Sequence, residues 1–294
     1  MKPLLILLGV IFSLSAYAAY PGELPKTASP DTKWIFSRAN ACLNANNITR
    51  VAANGECLAL QTYFGKTMPA PHPILLVFIH GDGIPGGGPS DYLKYQATQF
   101  IAPDVVPVVL IRPGYYDSYD HYSTGESYAF AGHGYPNDSY RPHTVATLAD
   151  AVKNLKDFYQ ARCTILVGHS GGAMMSGIIL GKYPGLANGA VLASVVGDVH
   201  VWAKKHDYGS YPNSLSPDDF INNIPKKDFV TIVSGTKDQN TYPAMSKAYY
   251  EKLKQARINA HWYPEKDGTH NSVVLSHVNQ FDSAIQAAIV QCRK

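Results

Sequence analysis

A serine flanked by glycines offers the clearest chemistry in this sequence. The stretch Gly168–Gly172 reads Gly-His-Ser-Gly-Gly and fits the pattern G-x-S-x-G, with Ser170 at its centre. An apolar segment typical of a buried strand, Thr164–Val167, precedes it, and a segment with helical spacing follows. A serine nucleophile needs this context, because it lies on a sharp strand-to-helix turn that only glycine-sized neighbours permit. The sequence therefore predicts Ser170 as the nucleophile of an acyl-transfer reaction.

A serine hydroxyl is a weak nucleophile unless a general base removes its proton. Among the eleven histidines, His270 is placed best for this task, in the segment 267–271 (Asp-Gly-Thr-His-Asn). This segment follows the last predicted strand and precedes the last predicted helix, so a flexible loop can bring the imidazole to Ser170. We therefore predict His270 as the general base.

The third member of such a site is a carboxylate that orients the histidine. Asp238 follows the predicted strand Phe229–Val233, and Asp198 follows the strand before it. The chain order Ser, Asp, His fits either residue. We favour Asp238, because one strand then separates it from the histidine loop, and Asp198 stays open as the alternative acid, with helix capping as its other role.

An oxyanion hole completes the predicted site. The segment 80–83 (His-Gly-Asp-Gly) ends the first buried strand at the same edge of the sheet as Ser170. One backbone N–H is expected from Gly171, the residue after the nucleophile, and the second from Asp82, whose side chain is not needed for this. Removal of one such donor typically lowers the rate by about 10²–10³.

Positioning these residues requires a mostly parallel sheet. Nearly continuous apolar runs are typical of strands that are buried on both faces, and here they alternate with helical segments, which predicts the α/β class. In such sheets, ligands bind beyond the carboxyl ends of the strands. A hairpin around Asn54-Gly55 is expected to precede the parallel strands. The predicted strands are Arg50–Ala53, Glu56–Phe64, Ile74–His80, Val105–Ile111, Cys163–Val167, Ala190–Val196, Phe229–Val233 and Ala260–Tyr263. The predicted helices are Asp91–Ile101, Thr144–Tyr159 (with Val145, Leu148, Val152, Leu155 and Phe158 on its apolar face), Ala173–Lys182, Pro243–Gln255 and Ser272–Val290.

The motifs and their order resemble those of the α/β-hydrolase family. The resemblance covers about residues 48–294 and is carried by His80-Gly81, the Gly168–Gly172 turn, Asp238 and His270. It implies an eight-stranded, mostly parallel sheet with helices on both faces, an acyl-enzyme on Ser170 and no cofactor. A small cap insertion is expected at 199–226.

Two further stretches narrow the resemblance. Arg112–Tyr115 and Gly235–Thr241, together with the serine motif, are similar to the prolyl-oligopeptidase-like and dienelactone-hydrolase-like branches. Three functions follow as alternatives: a hydrolase of carboxylic esters, a serine peptidase acting on short peptides, and a non-catalytic binding protein on a hydrolase scaffold. The complete, ordered triad argues against the third. The polar composition of 199–226 argues against a lipase lid, and we favour short or aromatic acyl esters, or sugar-linked esters, as substrates.

Composition indicates the class of protein, and the N-terminal residues indicate the compartment in which it acts. The 294 residues are 46% hydrophobic and 16% charged, which is typical of a globular chain, and the formal net charge of +3 without a basic run excludes nucleic-acid binding as a main function. Met1–Ala19 has the charge, apolar run and small-residue end of a signal peptide, and residues 20–47 form an N-terminal extension. The apolar run is too short for a membrane anchor. The sequence thus predicts a secreted or periplasmic protein.

Export makes the four cysteines candidates for disulfides. Four cysteines allow three pairings. We favour Cys42–Cys57, which lie around the hairpin, and Cys163–Cys292, which lie at the start of a strand and the end of the last helix. The alternative is four buried free thiols. No metal is predicted, because neither CxxC nor HxxxH spacing occurs.

Overall fold

The strands of the computed structural model form one eight-stranded sheet in the order β1-β2-β4-β3-β5-β6-β7-β8. The structure describes residues 42, 45–66, 69–82, 91–117, 121–125, 140–275 and 280–294. The strands are β1 Arg50–Ala53, β2 Glu56–Thr62, β3 Ile74–Ile79, β4 Val105–Leu110, β5 Cys163–His169, β6 Gly189–Ala193, β7 Phe229–Gly235 and β8 Asn259–Glu265. The helices are α1 Asp91–Thr98, α2 Pro142–Tyr159, α3 Gly171–Lys182, α4 Val199–Lys205, α5 Pro243–Gln255, α6 Ser272–Leu275 and α7 Gln280–Arg293, with a 3₁₀ helix at Pro217–Asn223.

The six strands β3 to β8 run parallel, and the hairpin β1–β2 adds antiparallel strands at one edge. The prediction of a mostly parallel, eight-stranded sheet is therefore confirmed. Because β3 and β5 are direct neighbours and Ile79 pairs with Gly168, their carboxyl ends meet at one point of the sheet edge. The segment 80–82 and the serine turn leave the sheet side by side there.

Side chains of β3 alternate between the two faces of the sheet, as a strand period of two requires. Leu75, Val77 and Ile79 join the cluster that contains the buried sides of α2, α3 and α5. Ile74, Leu76 and Phe78 join the other cluster, which contains those of α1, α6 and α7. Both faces of the strand are thus covered, which explains why its sequence is continuously apolar.

The apolar face predicted for α2 is correct except at its end. Phe158 is 47% exposed, whereas Tyr159 is buried in the core cluster. Tyr159 lies four residues after Leu155, so it, rather than Phe158, continues the inward stripe at this turn of the helix. The Phe158 ring packs edge-on against the Tyr159 ring, with centroids 4.8 Å apart.

The four cysteines form two pairs in the structure. Cys42 is joined to Cys57 with a Cα–Cα distance of 5.1 Å, and Cys163 is joined to Cys292 with 5.9 Å. The second bridge connects the start of β5 to the last turn of α7, at the end of the sheet opposite Ser170. Arg293 next to it donates to Asp104, so a charged contact also holds the end of α7.

Several predictions fall on residues outside the described part of the chain. These are the signal peptide 1–19, almost all of the extension 20–47, Gly83, and the middle of the predicted helix Ser272–Val290, where α6 and α7 lie on either side of 276–279. Among the helices that are described, none has both the length and the apolar character needed to cross a bilayer.

Candidate active site

Ser170 lies on the turn between β5 and α3 with φ 51° and ψ −122°, a conformation that side-chain-bearing residues rarely adopt. Its backbone is held in place, because its N–H donates to the Ala193 carbonyl at 2.9 Å. Positions 168 and 172 must be glycine, because the surrounding backbone leaves no space for a Cβ atom. A Cβ on Gly168 would lie 2.6 Å from the Ala173 Cα, and one on Gly172 would overlap the carbonyl oxygens of Ile79 and His80. The turn can therefore expose the Ser170 side chain only because positions 168 and 172 carry no side chains.

The structure brings the three predicted side chains into one hydrogen-bonded line. His270 Nε2 lies 2.9 Å from Ser170 Oγ, and His270 Nδ1 lies 3.0 Å from Asp238 Oδ2. An ionised carboxylate only accepts hydrogen bonds, so the imidazole proton is on Nδ1. The lone pair of Nε2 then faces the serine hydroxyl. This is the geometry of a general base next to its nucleophile.

Asp238 is set up to stay ionised. Its side chain is fully buried. Oδ1 accepts the backbone N–H groups of Asn240 at 2.8 Å and Thr241 at 3.0 Å, and Oδ2 accepts the Thr241 hydroxyl at 2.7 Å. Burial opposes the charge, but the hydrogen bonds and the neighbouring His270 outweigh it, so the pKa of this carboxyl lies well below its usual range.

Asp198, the alternative acid, has a different place. It is the N-cap of α4, and its Oδ1 accepts the backbone N–H groups of His200 at 2.9 Å and Val201 at 3.0 Å. Aspartate is a favoured residue at this position, because its side chain satisfies N–H groups that the first helical turn leaves unpaired. The structure thus distinguishes the contacts of Asp198 from those of Asp238, which chain order alone could not do.

The two residues expected to form the oxyanion hole lie beside Ser170. A Cβ on Gly81 would be 3.0 Å from the Ser170 Cβ, and a Cβ on Gly171 would be 2.6 Å from Asp82 Oδ1. The segment that follows β3 is therefore packed against the first turn of α3. The backbone N–H groups at a helix start favour negative charge.

The Asp82 side chain is part of a buried network that sequence reasoning missed. Its Oδ1 accepts Arg112 Nη1 at 2.6 Å, and its Oδ2 accepts the Tyr140 hydroxyl at 2.7 Å. Arg112 also donates to the His80 carbonyl at 3.3 Å and lies over the Tyr115 ring. Arg112 lies in the Arg112–Tyr115 stretch that carries the family resemblance, but nothing local to that stretch indicates a partner on another loop. The network places a positive charge against the Asp82 carboxylate beside Ser170, and Arg112 also holds the backbone at His80.

Residues of the segment 199–226 contact the loop that carries Asp238. The Trp202 indole N–H and His206 Nε2 are 3.1 Å and 2.7 Å from the Asn240 carbonyl. The His206 ring lies between those of Tyr208 and Tyr242, with centroid distances of 5.2 Å and 5.4 Å. An aromatic cluster therefore covers the chain just beyond the buried acid. No group of three or more potential metal ligands occurs within the described ranges.

This sheet order, with a strained serine after β5 and a histidine after the last strand, defines an α/β-hydrolase, and the protein is a serine hydrolase. The chain belongs to the prolyl oligopeptidase family, whose sequence pattern matches residues 121–288, more than half of its length. A comparison with curated protein sequences finds no match.

Solved structures with very different sequences share the fold. Est1E of Butyrivibrio proteoclasticus, solved with ferulic acid bound, is 13% identical with a TM-score of 0.61, and the match covers 83% of this chain and 99% of that one. A thermophilic esterase of Thermogutta terrifontis is 15% identical with a TM-score of 0.57, covering 80% and 89%. Dipeptidyl peptidase 4 of Porphyromonas gingivalis is 17% identical with a TM-score of 0.54, covering 81% and 34%. The chain thus spans about a third of the length of the dipeptidyl peptidase.

Proposed function

We propose that this protein is an exported serine hydrolase that cleaves carboxylic esters through an acyl-enzyme on Ser170. The observation that carries the proposal is the unbroken line from Ser170 Oγ through both ring nitrogens of His270 to Asp238 Oδ2, with contacts of 2.9 Å and 3.0 Å. In this line a proton acceptor faces the serine, and a buried negative charge faces the other ring nitrogen.

The first half-reaction follows from these positions. Ser170 Oγ attacks the ester carbonyl carbon while its proton passes to His270 Nε2, and Asp238 stabilises the imidazolium that forms. The carbonyl oxygen becomes an oxyanion, which accepts hydrogen bonds from the backbone N–H groups of Gly171 and Asp82. His270 then gives its proton to the leaving alcohol as the bond between carbonyl carbon and alcohol oxygen breaks, leaving the acyl group on Ser170.

The second half-reaction uses the same groups with water as the nucleophile. His270 Nε2 takes a proton from water, and the hydroxide attacks the acyl carbon. The resulting oxyanion accepts hydrogen bonds from the same two N–H groups. Collapse of this intermediate returns the proton from His270 to Ser170 Oγ and releases the acid. No cofactor enters the proposed cycle.

The ester preference rests on the polar character of the cap and on the comparisons. The match to the Thermogutta esterase covers 89% of that protein, whereas the match to the dipeptidyl peptidase covers 34%. A polar cap with an aromatic cluster favours small or aromatic acyl esters over a lipid surface. The alternative, hydrolysis of short peptides, is favoured by the family match over residues 121–288.

We also propose the following organisation and location. Residues 1–19 are a signal peptide, 20–47 an extension, and 48–294 the hydrolase domain with its cap at 199–226. The two disulfides, with no free cysteine left, support a secreted or periplasmic location, because such bridges persist in oxidising compartments.

The nucleophile is tested with a fluorophosphonate probe, which reacts with activated serines. Wild-type protein is expected to be labelled, and Ser170→Ala is expected to lose both labelling and hydrolysis. Ser176→Ala is the matched control. Ser176 lies fully buried in α3, the helix that follows Ser170, and its hydroxyl donates a hydrogen bond to the Gly172 carbonyl. Labelling that persists in Ser170→Ala would reject Ser170 as the nucleophile. Wild-type protein that shows neither labelling nor hydrolysis would favour a binding protein.

The substrate class is tested with a panel of nitrophenyl esters and aminoacyl nitroanilides at matched concentrations. The proposal expects kcat/KM to be highest for short or aromatic acyl esters. Preferential cleavage of the anilides would replace the ester function with the peptidase function while leaving the site assignment intact.

A further inference from the structure

A second chain of hydrogen bonds lies behind the line Ser170–His270–Asp238 and connects two loops through α1 and the end of β5. The Gly81 N–H lies 2.9 Å from the Tyr92 hydroxyl, which lies 2.8 Å from His169 Nδ1. His169 Nε2 lies 2.9 Å from the carbonyl oxygen of His270. The chain therefore begins in the loop after β3, passes through α1 and the residue before Ser170, and ends in the loop after β8.

With His169 neutral, the donors and acceptors in this chain have only one consistent assignment. A backbone N–H can only donate, so Gly81 donates to Tyr92. A carbonyl oxygen can only accept, so His169 Nε2 carries the ring proton and donates to His270. A neutral imidazole has one N–H, which leaves His169 Nδ1 as the acceptor of the Tyr92 hydroxyl proton. Every polar atom of the chain is thereby satisfied with His169 neutral.

We propose that Tyr92 and His169 are positioning residues, which hold the backbone of His270 and of Gly81 so that base and oxyanion loop stay aligned on Ser170. The inference rests on the proposed function and deepens it. The imidazole of His270 is fixed at one end by Asp238, and its main chain is fixed at the other by His169. The hydroxyl of Ser194, 3.2 Å from the same carbonyl, adds a second donor.

Because His169 lies close to His270, the charge of His169 affects the proton transfer to His270. Its ring centroid is 5.1 Å from that of His270. When His270 takes the serine proton it becomes positively charged, and a second charged imidazole at this distance would oppose that step. Burial, and then the charge of His270, lowers the pKa of His169 to about 3. Burial also raises the pKa of the Tyr92 hydroxyl, so Tyr92 keeps the proton that it donates.

The other end of the chain acts on the predicted oxyanion loop. Gly81 precedes Asp82, and a Cβ on Gly81 would lie 3.0 Å from the Ser170 Cβ. The Tyr92 hydroxyl is the acceptor that fixes the direction of this peptide N–H. Loss of the hydroxyl would therefore loosen the oxyanion loop and the histidine loop together.

The experiment compares two substitutions with matched partners in the full-length protein, using the best nitrophenyl ester of the panel. Tyr92→Phe removes one hydroxyl, and Tyr249→Phe is its control, because the Tyr249 hydroxyl is buried but has no hydrogen-bond partner within the described residues. His169→Leu removes both ring nitrogens, whereas the amide of His169→Gln can still donate to the His270 carbonyl. kcat, KM and Tm are measured for each, with kinetics at a temperature where every variant is folded.

We expect kcat to fall by about 10-fold to 100-fold in Tyr92→Phe and His169→Leu with KM changed less than about 2-fold, since misplacement of reacting groups by about 1 Å can cost 100-fold. His169→Gln should recover much of the loss, and Tyr249→Phe should match the wild type. A purely structural role would lower Tm and leave kcat of the folded protein unchanged.

Three outcomes would overturn the inference: a wild-type kcat in folded Tyr92→Phe, equal losses in His169→Leu and His169→Gln, or a loss that appears in KM alone. If His169→Leu does not fold, the comparison of Tyr92→Phe with Tyr249→Phe decides. Failure of the proposed function is distinguishable, because it would appear as preferential anilide cleavage or no hydrolysis by the wild type, or as hydrolysis that persists in Ser170→Ala.

Discussion

Replacing Asp238 with asparagine changes one atom of the proposed triad, and the structure determines which one. Oδ1 of Asp238 accepts two backbone N–H groups, from Asn240 and Thr241, so the amide oxygen of the introduced asparagine must take that place. The new NH₂ group then occupies the position of Oδ2, 3.0 Å from His270 Nδ1. Because this group donates, His270 must accept with Nδ1 and carry its proton on Nε2, facing Ser170. The histidine is then in the wrong tautomer to act as a base.

The expected loss follows from removing general-base catalysis while leaving the oxyanion hole and the serine in place. Substitutions of this kind in Ser-His-Asp sites lower kcat by about 10⁴. At about 1.36 kcal/mol per factor of ten, this is about 5 kcal/mol of transition-state stabilisation. The depressed pKa of Asp238 adds a second expectation. A carboxyl of this kind stabilises the fold above its unfolded pKa, so the variant should be less stable than wild type at neutral pH, and the difference should vanish in strong acid.

The assay is kcat on a nitrophenyl ester at a temperature where both proteins are folded, together with urea unfolding at several pH values. Asp198→Asn is the matched control, since Asp198 caps α4 and asparagine caps helices about as well as aspartate. Its kcat should stay within about 3-fold of wild type, because a retained cap leaves the site in place. A larger loss in Asp198→Asn than in Asp238→Asn, or a loss below about 10-fold in the latter, would refute the assignment of the acid.

Three further predictions concern stability and the serine turn. Asp228 is buried with an unpartnered Oδ2 within the described residues, and burial raises its pKa to about 6. Since a raised folded-state pKa means that stability falls as pH rises through about 4 to 6, Asp228→Asn should be more stable than wild type by up to about 3 kcal/mol at pH 8 and equal at pH 4, in urea unfolding. An equal difference at both pH values would contradict this. Replacing Cys163 and Cys292 together by alanine opens a loop with a sequence separation of 129, against 15 for Cys42 and Cys57. The chain-entropy relation gives upper values of about 5 and about 3 kcal/mol, so the first pair should cost more in urea unfolding, and the reverse order would reject that account. Gly172→Ala should lower both Tm and kcat, because its Cβ would meet the backbone carbonyls of Ile79 and His80; unchanged Tm and kcat would mean that the turn can relax.

The sequence by itself determined the eight strands, most of the helices and the local context of Ser170, but not α4 or the 3₁₀ helix within 199–226. Strand β3 could be predicted because both of its faces are buried, which leaves a continuous apolar run. The serine turn could be predicted because its constraint is local: strand, two small residues and helix must follow one another along the chain. In α2, the helical spacing of apolar residues wrongly predicted Phe158 as buried. Either of two adjacent residues fits this spacing, and only packing selects Tyr159.

Only the tertiary structure decided which distant groups meet. Chain order allowed Asp198 or Asp238 as the partner of His270, and the contact at 3.0 Å is formed by Asp238 because the loops after β7 and β8 converge at neighbouring strand ends. The pairing of Asp82 with Arg112 joins the loops after β3 and β4, and the chain through Tyr92 and His169 joins the loops after β3 and β8. Hydrogen bonds of this kind depend on distance in space between residues far apart in sequence, and no periodicity along the chain encodes that distance.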